Sequence, residues 1–401
     1  MTPRTGRRPG SEQAPVLAPL TVLVSSALLA LSQLYLAITL APVIGSVLGG
    51  DASAAPAALG TTYALAYGVG FLIFGPLSDR YGRKPVLVPG MAALAFVTAG
   101  LSVGSSLSVI AVLRAVQGLV AASFGPVALA YVGEALPPRW RSTGIGAMST
   151  AFLSAGIIGQ VYAQAVVDAL GWRWVFGLAA PAFMIAAIAM ATILIEPHRS
   201  SEPASLGQKY RGLLALAAKR ELLLVNAASF PVIMSFVGMY AALGPLLQTD
   251  FRLDATSVLF VRLAGLPAIL LAPIAGWLAR RHGATRVAVV GFMLAAAGLL
   301  AEAITVRAAL WALVMASVIF VLGVATIVPA VIALVGSRGG SSRAGALGIN
   351  GLVVFAGASF GPLAAQLPIR FSGLMLMFAV LLVIASGLVA ISSRRTAETT
   401  V

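Results

Sequence analysis

The sequence predicts an all-α integral membrane protein whose twelve transmembrane helices form two pseudo-symmetric six-helix bundles. Three observations carry this. The 401 residues are 60% hydrophobic and only 9% charged, with a mean hydropathy of +1.00, far from the balance of a soluble domain. Apolar runs of the roughly 20 residues needed to cross a bilayer recur twelve times. The basic residues between them alternate from sparse to dense, loop by loop.

The runs cover about 17–47, 57–77, 85–104, 106–132, 142–167 and 172–195, then 221–247, 255–279, 285–304, 308–335, 344–368 and 371–392. The run after the basic segment Met1–Pro15 is too long for a signal peptide and lacks a small-residue cleavage site, so it reads as the first span. Counting from there, alternate connectors and the two ends hold 20 of the 26 Lys and Arg, among them Arg80, Arg83, Lys84, Arg139, Arg141, Arg199, Lys209, Arg280 and Arg281. The other set of loops holds four: Arg173, Arg252, Arg307 and Arg370. This bias places both termini in the cytoplasm. It also accounts for the net charge of +14 without a nucleic-acid partner.

The longest hydrophilic stretch, 196–220, lies mid-chain. It separates a tail (1–16) and a first bundle (17–195) from a second bundle (221–392) and a short tail (393–401). The bundles repeat: a shift of 201 residues lays Gly75, Leu77, Arg80 and Gly82 on Gly276, Leu278, Arg281 and Gly283, and Gly156 on Gly357. In the second copy Asp79 becomes Arg280 and Lys84 becomes Thr285. Parallel repeats of this kind are a transporter architecture.

The chain lacks the ingredients of several other chemistries. It has no cysteine, and its two histidines, His198 and His282, fall in loops. That excludes disulfides, thiolate metal sites and a serine–histidine pair within the membrane. No phosphate loop or paired carboxylate is present, so neither an enzyme nor a cofactor is expected.

The most specific segment is Gly75-Pro-Leu-Ser-Asp79-Arg80-Tyr-Gly82-Arg83-Lys84. Gly75 is expected to let two helices approach, Asp79 to bond a helix N-terminus, and Gly82 to permit a tight reversal. The segment resembles the loop between helices 2 and 3 of the major facilitator superfamily. In the fourth span Arg114, Gln117, Gly118, Ala121, Ala122 and Gly125 share one face, and the run resembles that superfamily's Arg-x-x-Gln-Gly motif. The fifth span, Ala151–Gln160, carries the glycines of the drug–proton antiporter motif but not its Gly-Pro pair, which appears instead at Gly361-Pro362. The resemblance covers about 17–392 and implies the major facilitator fold. Within the superfamily the chain looks most like the bacterial drug and metabolite exporters. That likeness implies a monomer in the bacterial inner (cytoplasmic) membrane, moving a small molecule against protons through the lipid bilayer by alternating access.

The resemblance also assigns roles. Gly75, Asp79, Arg80, Gly82, Arg83 and Lys84 would form a latch with Glu134, paired to Arg83, holding the outward-facing state and breaking in the inward-facing one. Arg114, roughly 12 Å deep at 1.5 Å per residue, and Arg262 of the eighth span would line the cavity. The spans offer no acid at similar depth, with Asp168 and Glu302 placed at outer ends, so a neutral or anionic substrate is favoured. Ser32, Tyr35, Thr39, Gln117, Gln160, Gln164, Asn226, Tyr240, Trp311 and Asn350 are further cavity candidates, each also explicable as an interhelical hydrogen bond or anchor. Asp79, Glu134 and Asp168 are the candidate proton carriers. An importer or uniporter of a small metabolite shares the same fold. A receptor or scaffold that has lost transport is a rival of another class, against which the intact latch residues speak.

Overall fold

The computed structural model describes residues 16–48, 52–197, 212, 216–306, 308–340 and 343–394. The N-terminal tail, most of the 196–220 linker, His198, Arg199, Lys209, Arg307 and the last residues lie outside that set. Among the described residues there are twelve helices long and apolar enough to cross a membrane and no strand. They are α1 (Leu17–Leu48), α2 (Ala57–Tyr81), α3 (Lys84–Ser102), α4 (Leu107–Ala135), α5 (Pro138–Leu170), α6 (Trp172–Ile193), α7 (Arg220–Thr249), α8 (Ala255–His282), α9 (Ala284–Thr305), α10 (Leu310–Arg338), α11 (Arg343–Ala364) and α12 (Phe371–Arg394).

Odd-numbered helices begin on the face that carries the basic connectors, here the basic face, and even-numbered ones end there. The repeat is visible in the backbone. Gly82 and Gly283 close the α2–α3 and α8–α9 connections with φ of 110° and 90°, a region that a side chain disfavours. Gly156 and Gly357, the other repeated pair, each abut α7, at Phe236 and Phe230.

Local chemistry breaks the symmetry. α4 is interrupted at 122–124, immediately before Gly125-Pro126, and α8 at 264–265 and 271, before Pro267 and Pro273. A proline cannot donate to the preceding turn, so each restarts a helix at its first positions. α4 and α8 begin with side-chain caps, Ser106 to the Val109 amide and Asp254 to the Ser257 amide. The first turn of α2 is a π-helix, Ala57–Thr61; the wide turn has a use described below.

The first six helices meet the last six along α2–α11, with further contact between α5 and α8 and between α1 and α7. At the α2–α11 crossing Gly68 lies under Leu352, and Gly351 lies under the Phe71 ring. Small residues let helices approach in a membrane, where apolar burial offers no drive to associate.

Candidate substrate cavity and gate

A cavity of about 760 Å³ lies between the two halves. It reaches the basic face at Asp79, Arg83, Glu134 and Gly345, and runs inward to Tyr35 of α1. Its deep walls are aromatic and aliphatic: Tyr67 and Phe71 of α2, Phe152 of α5 and Phe355 of α11. Phe355 stands edge-on to Tyr67 at 4.4 Å and 5.4 Å from Phe71. Above the cavity Tyr35 meets Phe236 of α7 edge-to-face at 5.8 Å. Besides the Tyr35 and Tyr67 side chains, the uncharged polar groups on the described wall are Ser78, Ser149, Ser229 and Asn350, whose amide donates to Asn226 Oδ1 (3.0 Å) and Ser229 Oγ (2.9 Å). Among the described lining residues, charge is confined to the mouth.

The far end is sealed. One turn beyond Tyr35, Thr39 Oγ1 accepts from Arg262 Nη1 of α8 at 2.9 Å and donates to the Gln160 carbonyl of α5. Gly244 leaves room for that guanidinium beneath α7. Further out, Thr61 donates to the Ser359 carbonyl (2.8 Å) and Gln366 to the Ser53 carbonyl (3.0 Å). All but the Thr39–Gln160 bond join the halves. The chain is open on the basic face and closed on the opposite one.

At the mouth, Arg83 forks between two acids. Nη1 bonds Asp79 Oδ1 (2.6 Å), while Nη2 and Nε engage Glu134 Oε1 (2.6 Å) and Oε2 (3.0 Å). Burial works against this cation, but the Glu134 and Asp79 carboxylates outweigh it and hold the Arg83 pKa above the ordinary arginine value. Glu196, just past α6, accepts from the Arg83 and Lys84 amides at 2.8 and 2.7 Å, satisfying free donors at the start of α3. Lys84 Nζ donates to the Leu194 carbonyl (2.8 Å), and Arg80 lies 5.5 Å over the Tyr81 ring.

The expectation that the latch breaks when the cavity faces the basic side is corrected by this geometry. The bridges are intact with that face open, because Asp79, Arg83 and Glu134 all belong to the first half; rocking one half against the other need not stretch them. Gly75 likewise brings no helices together here, since a Cβ there would meet nothing within 4 Å; it lines the cavity.

Arg114 is not in the cavity. It is fully buried within the first half, where Nε donates to the Leu59 carbonyl in the π-turn (2.8 Å), Nη2 to the Gln33 carbonyl (2.7 Å) and Nη1 to Gln117 Oε1 (2.6 Å). The Tyr63 ring lies 4.2 Å from the guanidinium carbon. Gln117 in turn donates to Thr98 Oγ1 and Gln33 Oε1. Arg262 sits in the seal, above the cavity. Neither arginine therefore lines the cavity; among the described residues its deep lining is uncharged, the neutral end of the neutral-to-positive range expected.

Of the other candidates, Tyr35 and Asn350 line the cavity, and Asn226 stands behind Asn350. Ser32 donates to its own helix at Leu28 and packs under Gly159. Gln160 donates to the Gly156 carbonyl, and Tyr240 packs on Phe236 at 5.0 Å, above the cavity. Gln164 donates to Asp168 at the exposed end of α5, so Asp168 is not turned toward either arginine. Trp311 is 73% exposed in the first turn of α10, where an aromatic anchors at the interface.

Sequence reasoning missed the aromatic wall and misjudged Glu302. That residue is fully buried, not at a wet helix end, and an acid set among apolar residues on both sides was the signal.

The sequence profile of the Major Facilitator Superfamily matches residues 22–362. The inner membrane transport protein YnfM of Escherichia coli is 26% identical over 265 residues, 65% of this chain and 63% of that protein. The tetracenomycin C resistance and export protein of Streptomyces glaucescens is 29% identical over 143 residues, 36% and 27% of the two chains. The uncharacterized transporter Rv1250 of Mycobacterium tuberculosis is 30% identical, but only 25% of its length is matched. This chain thus spans a quarter to under two thirds of those relatives' lengths. Among solved structures, the human organic anion transporter MFSD10 superposes with a TM-score of 0.70 at 16% identity, covering 94% of this chain and all of that one. A bacterial homologue of the lysosomal transporter Spinster does so equally well, at 0.70 and 16%, covering 96% and 98%. With the profile running from α1 into α11 and the twelve-helix fold superposing nearly end to end, the chain belongs to the Major Facilitator Superfamily.

Proposed function

We propose that the protein is a secondary transporter that exports a small, largely apolar, neutral molecule by alternating access, driven by inward proton flow. The observation that carries this reading is the 760 Å³ aromatic-walled cavity between the halves, open on one face and sealed on the other. A ligand there is recognised by ring faces and the Asn350–Ser229 pair, and pays for no charge burial. The names of relatives that confer resistance to or export tetracenomycin C and chloramphenicol favour export. The basic face is taken as cytoplasmic, with both termini there, in a bacterial inner membrane, and the working unit as the monomer.

In this reading the Asp79–Arg83–Glu134 cluster braces the basic end of the first half, so that α2, α3 and α4 move as one body. The bridges are partly exposed, so each is worth about 1 kcal/mol or less. Asp79→Asn is therefore expected to leave folding intact and lower transport; a transport rate equal to the parent's removes the brace from the mechanism. Phe355→Ala should remove the ring that closes on Tyr67 and Phe71, weakening binding of a transported dye while leaving thermal stability near the parent's. Equal dye affinity in the two proteins means the substrate lies elsewhere.

The functional test is reconstitution in proteoliposomes under an imposed pH gradient, with neutral, anionic and cationic dyes supplied and internal pH recorded. Movement of a neutral dye with opposite proton flux is the expected result. Dye movement without proton flux describes a uniporter, and preference for an anion contradicts the uncharged cavity.

A further inference from the structure

Most uncharged polar groups on the cavity wall are already committed to the protein. The Ser78 hydroxyl donates to the Gly75 carbonyl (2.9 Å), Ser149 to Ile145 (2.9 Å) and Ser229 to Val225 (2.7 Å). A serine has one proton to give, so none of the three can donate to a ligand. Asn350 sets its Nδ2 between Asn226 Oδ1 and Ser229 Oγ, which takes both of its N–H groups.

Three atoms are left over. Tyr35 Oη, Tyr67 Oη and Asn350 Oδ1 bond to none of the described residues, although their side chains are only 4%, 2% and 5% exposed. None of the three is enclosed: each keeps contact with solvent, and all three residues line the cavity. Buried tyrosines normally place their hydroxyl, and here Tyr63, Tyr131 and Tyr162 donate to the Ala30, Ile195 and Val175 carbonyls. Tyr67 Oη lies beside Gly125, where a Cβ would come within 2.9 Å of it, and within electrostatic reach of Tyr35. Two donors thus stand together at the deep end. Asn350, five residues before Phe355 on α11, is about 7 Å nearer the basic face at 1.5 Å per residue. The rings of Phe71 and Phe355, 5.4 Å apart, lie between.

We propose that the cavity selects a neutral, flat aromatic molecule with an oxygen acceptor, a ring carbonyl, at one end and a hydroxyl or N–H donor at the other. The carbonyl oxygen accepts from Tyr35 and Tyr67, the rings lie against Phe71 and Phe355, and the donor bonds Asn350 Oδ1. This deepens the export reading above and rests on its cavity: it gives the substrate a hydrogen-bond pattern and an orientation, with the carbonyl toward the seal. A plain hydrocarbon would displace water from all three atoms and replace none of its bonds. Each bond is expected to change affinity roughly threefold to tenfold.

The test is equilibrium dialysis of the full chain, purified in detergent with no gradient, against three neutral probes. 2-Hydroxyfluorenone has both groups, 2-hydroxyfluorene lacks the carbonyl and 2-methoxyfluorenone lacks the donor. The first should bind about tenfold or more tightly than the second, and roughly threefold to tenfold more tightly than the third. Tyr35→Phe and Tyr67→Phe keep the rings and remove hydroxyls that bond no described residue, so both should melt with the parent. Each should weaken 2-hydroxyfluorenone roughly threefold to tenfold and leave 2-hydroxyfluorene unchanged. Parent-like binding of both probes, or an equal loss of both, overturns the role of the hydroxyls. Equal affinity for the hydroxy and methoxy probes overturns the Asn350 contact, and no saturable binding of any probe overturns the whole assignment. The comparison of probes on the parent decides the matter even where a variant does not assemble. A tyrosine-dependent preference for 2-hydroxyfluorenone, with no movement of it in proteoliposomes, sinks the export reading and keeps the site. Export of a neutral dye against protons, with no such preference, sinks the site and keeps the export reading.

Discussion

Replacing Arg114 by alanine should leave almost no folded protein in detergent, even though Arg114 touches no part of the cavity. The guanidinium ties α4 to the Leu59 carbonyl of α2 and the Gln33 carbonyl of α1, orients Gln117 toward Thr98 of α3, and lies against Tyr63. Four helices of the first half thus depend on one side chain. Its removal leaves two carbonyls and the Gln117 amide oxygen without donors inside a membrane bundle, and breaking a buried charged network by removing one member costs about 3–5 kcal/mol. That is comparable with the whole stability of an ordinary domain. Arg114→Lys keeps the charge but supplies a point donor in place of the fork, so partial recovery of the monodisperse peak is expected. A wild-type melting temperature for Arg114→Ala would contradict the structural role given to this residue.

An equally large loss is expected from adding side chains to two glycines. A Cβ at Gly118 would collide with the Tyr63 carbonyl of α2, and one at Gly357 with the Phe230 carbonyl of α7. Backbone cannot swing aside as a side chain can, so Gly118→Leu or Gly357→Leu must push two helices apart, losing close packing along their whole crossing. Gly75→Ala and Gly133→Ala are the controls: a Cβ at either meets nothing within 4 Å, and both should purify like the parent. Size-exclusion profiles of the four variants decide the matter. Equal yields across the set would mean that the α2–α4 and α7–α11 crossings are not as close as described.

The fold was legible because bilayer length and charge alternation act on each segment separately. Twelve spans follow from hydropathy alone, and the expected limits miss the observed ones mainly where polar turns remain helical, as at Thr249 of α7 and Arg338 of α10. The Arg83–Glu134 pairing was expected from resemblance, and the two are bonded, but what the pair does depends on which half each belongs to. The cavity was less legible. Polar residues on a span stand out in sequence, so Arg114, Gln117, Gln160 and Tyr240 drew attention. In a membrane interior such groups are buried together to satisfy one another, which takes them off the cavity wall. The wall itself is made by Tyr67, Phe71 and Phe355, which look like any packed aromatic until the two halves are placed face to face. Glu302 was misread because its distance from the helix end suggested water, whereas depth within the bundle depends on the neighbours α8, α10 and α12.

The claim underlying all of this is that the halves alternate around the cavity. Two pairs of spin labels on the reconstituted chain test it most directly: 54 with 367 on the sealed face, and 133 with 345 at the mouth on the basic face. With the pH cycled between mildly acidic and mildly alkaline and a transported dye added, one distance should lengthen as the other shortens. Transport proceeding while neither distance changes, or while both change in the same sense, would contradict alternation between these two faces.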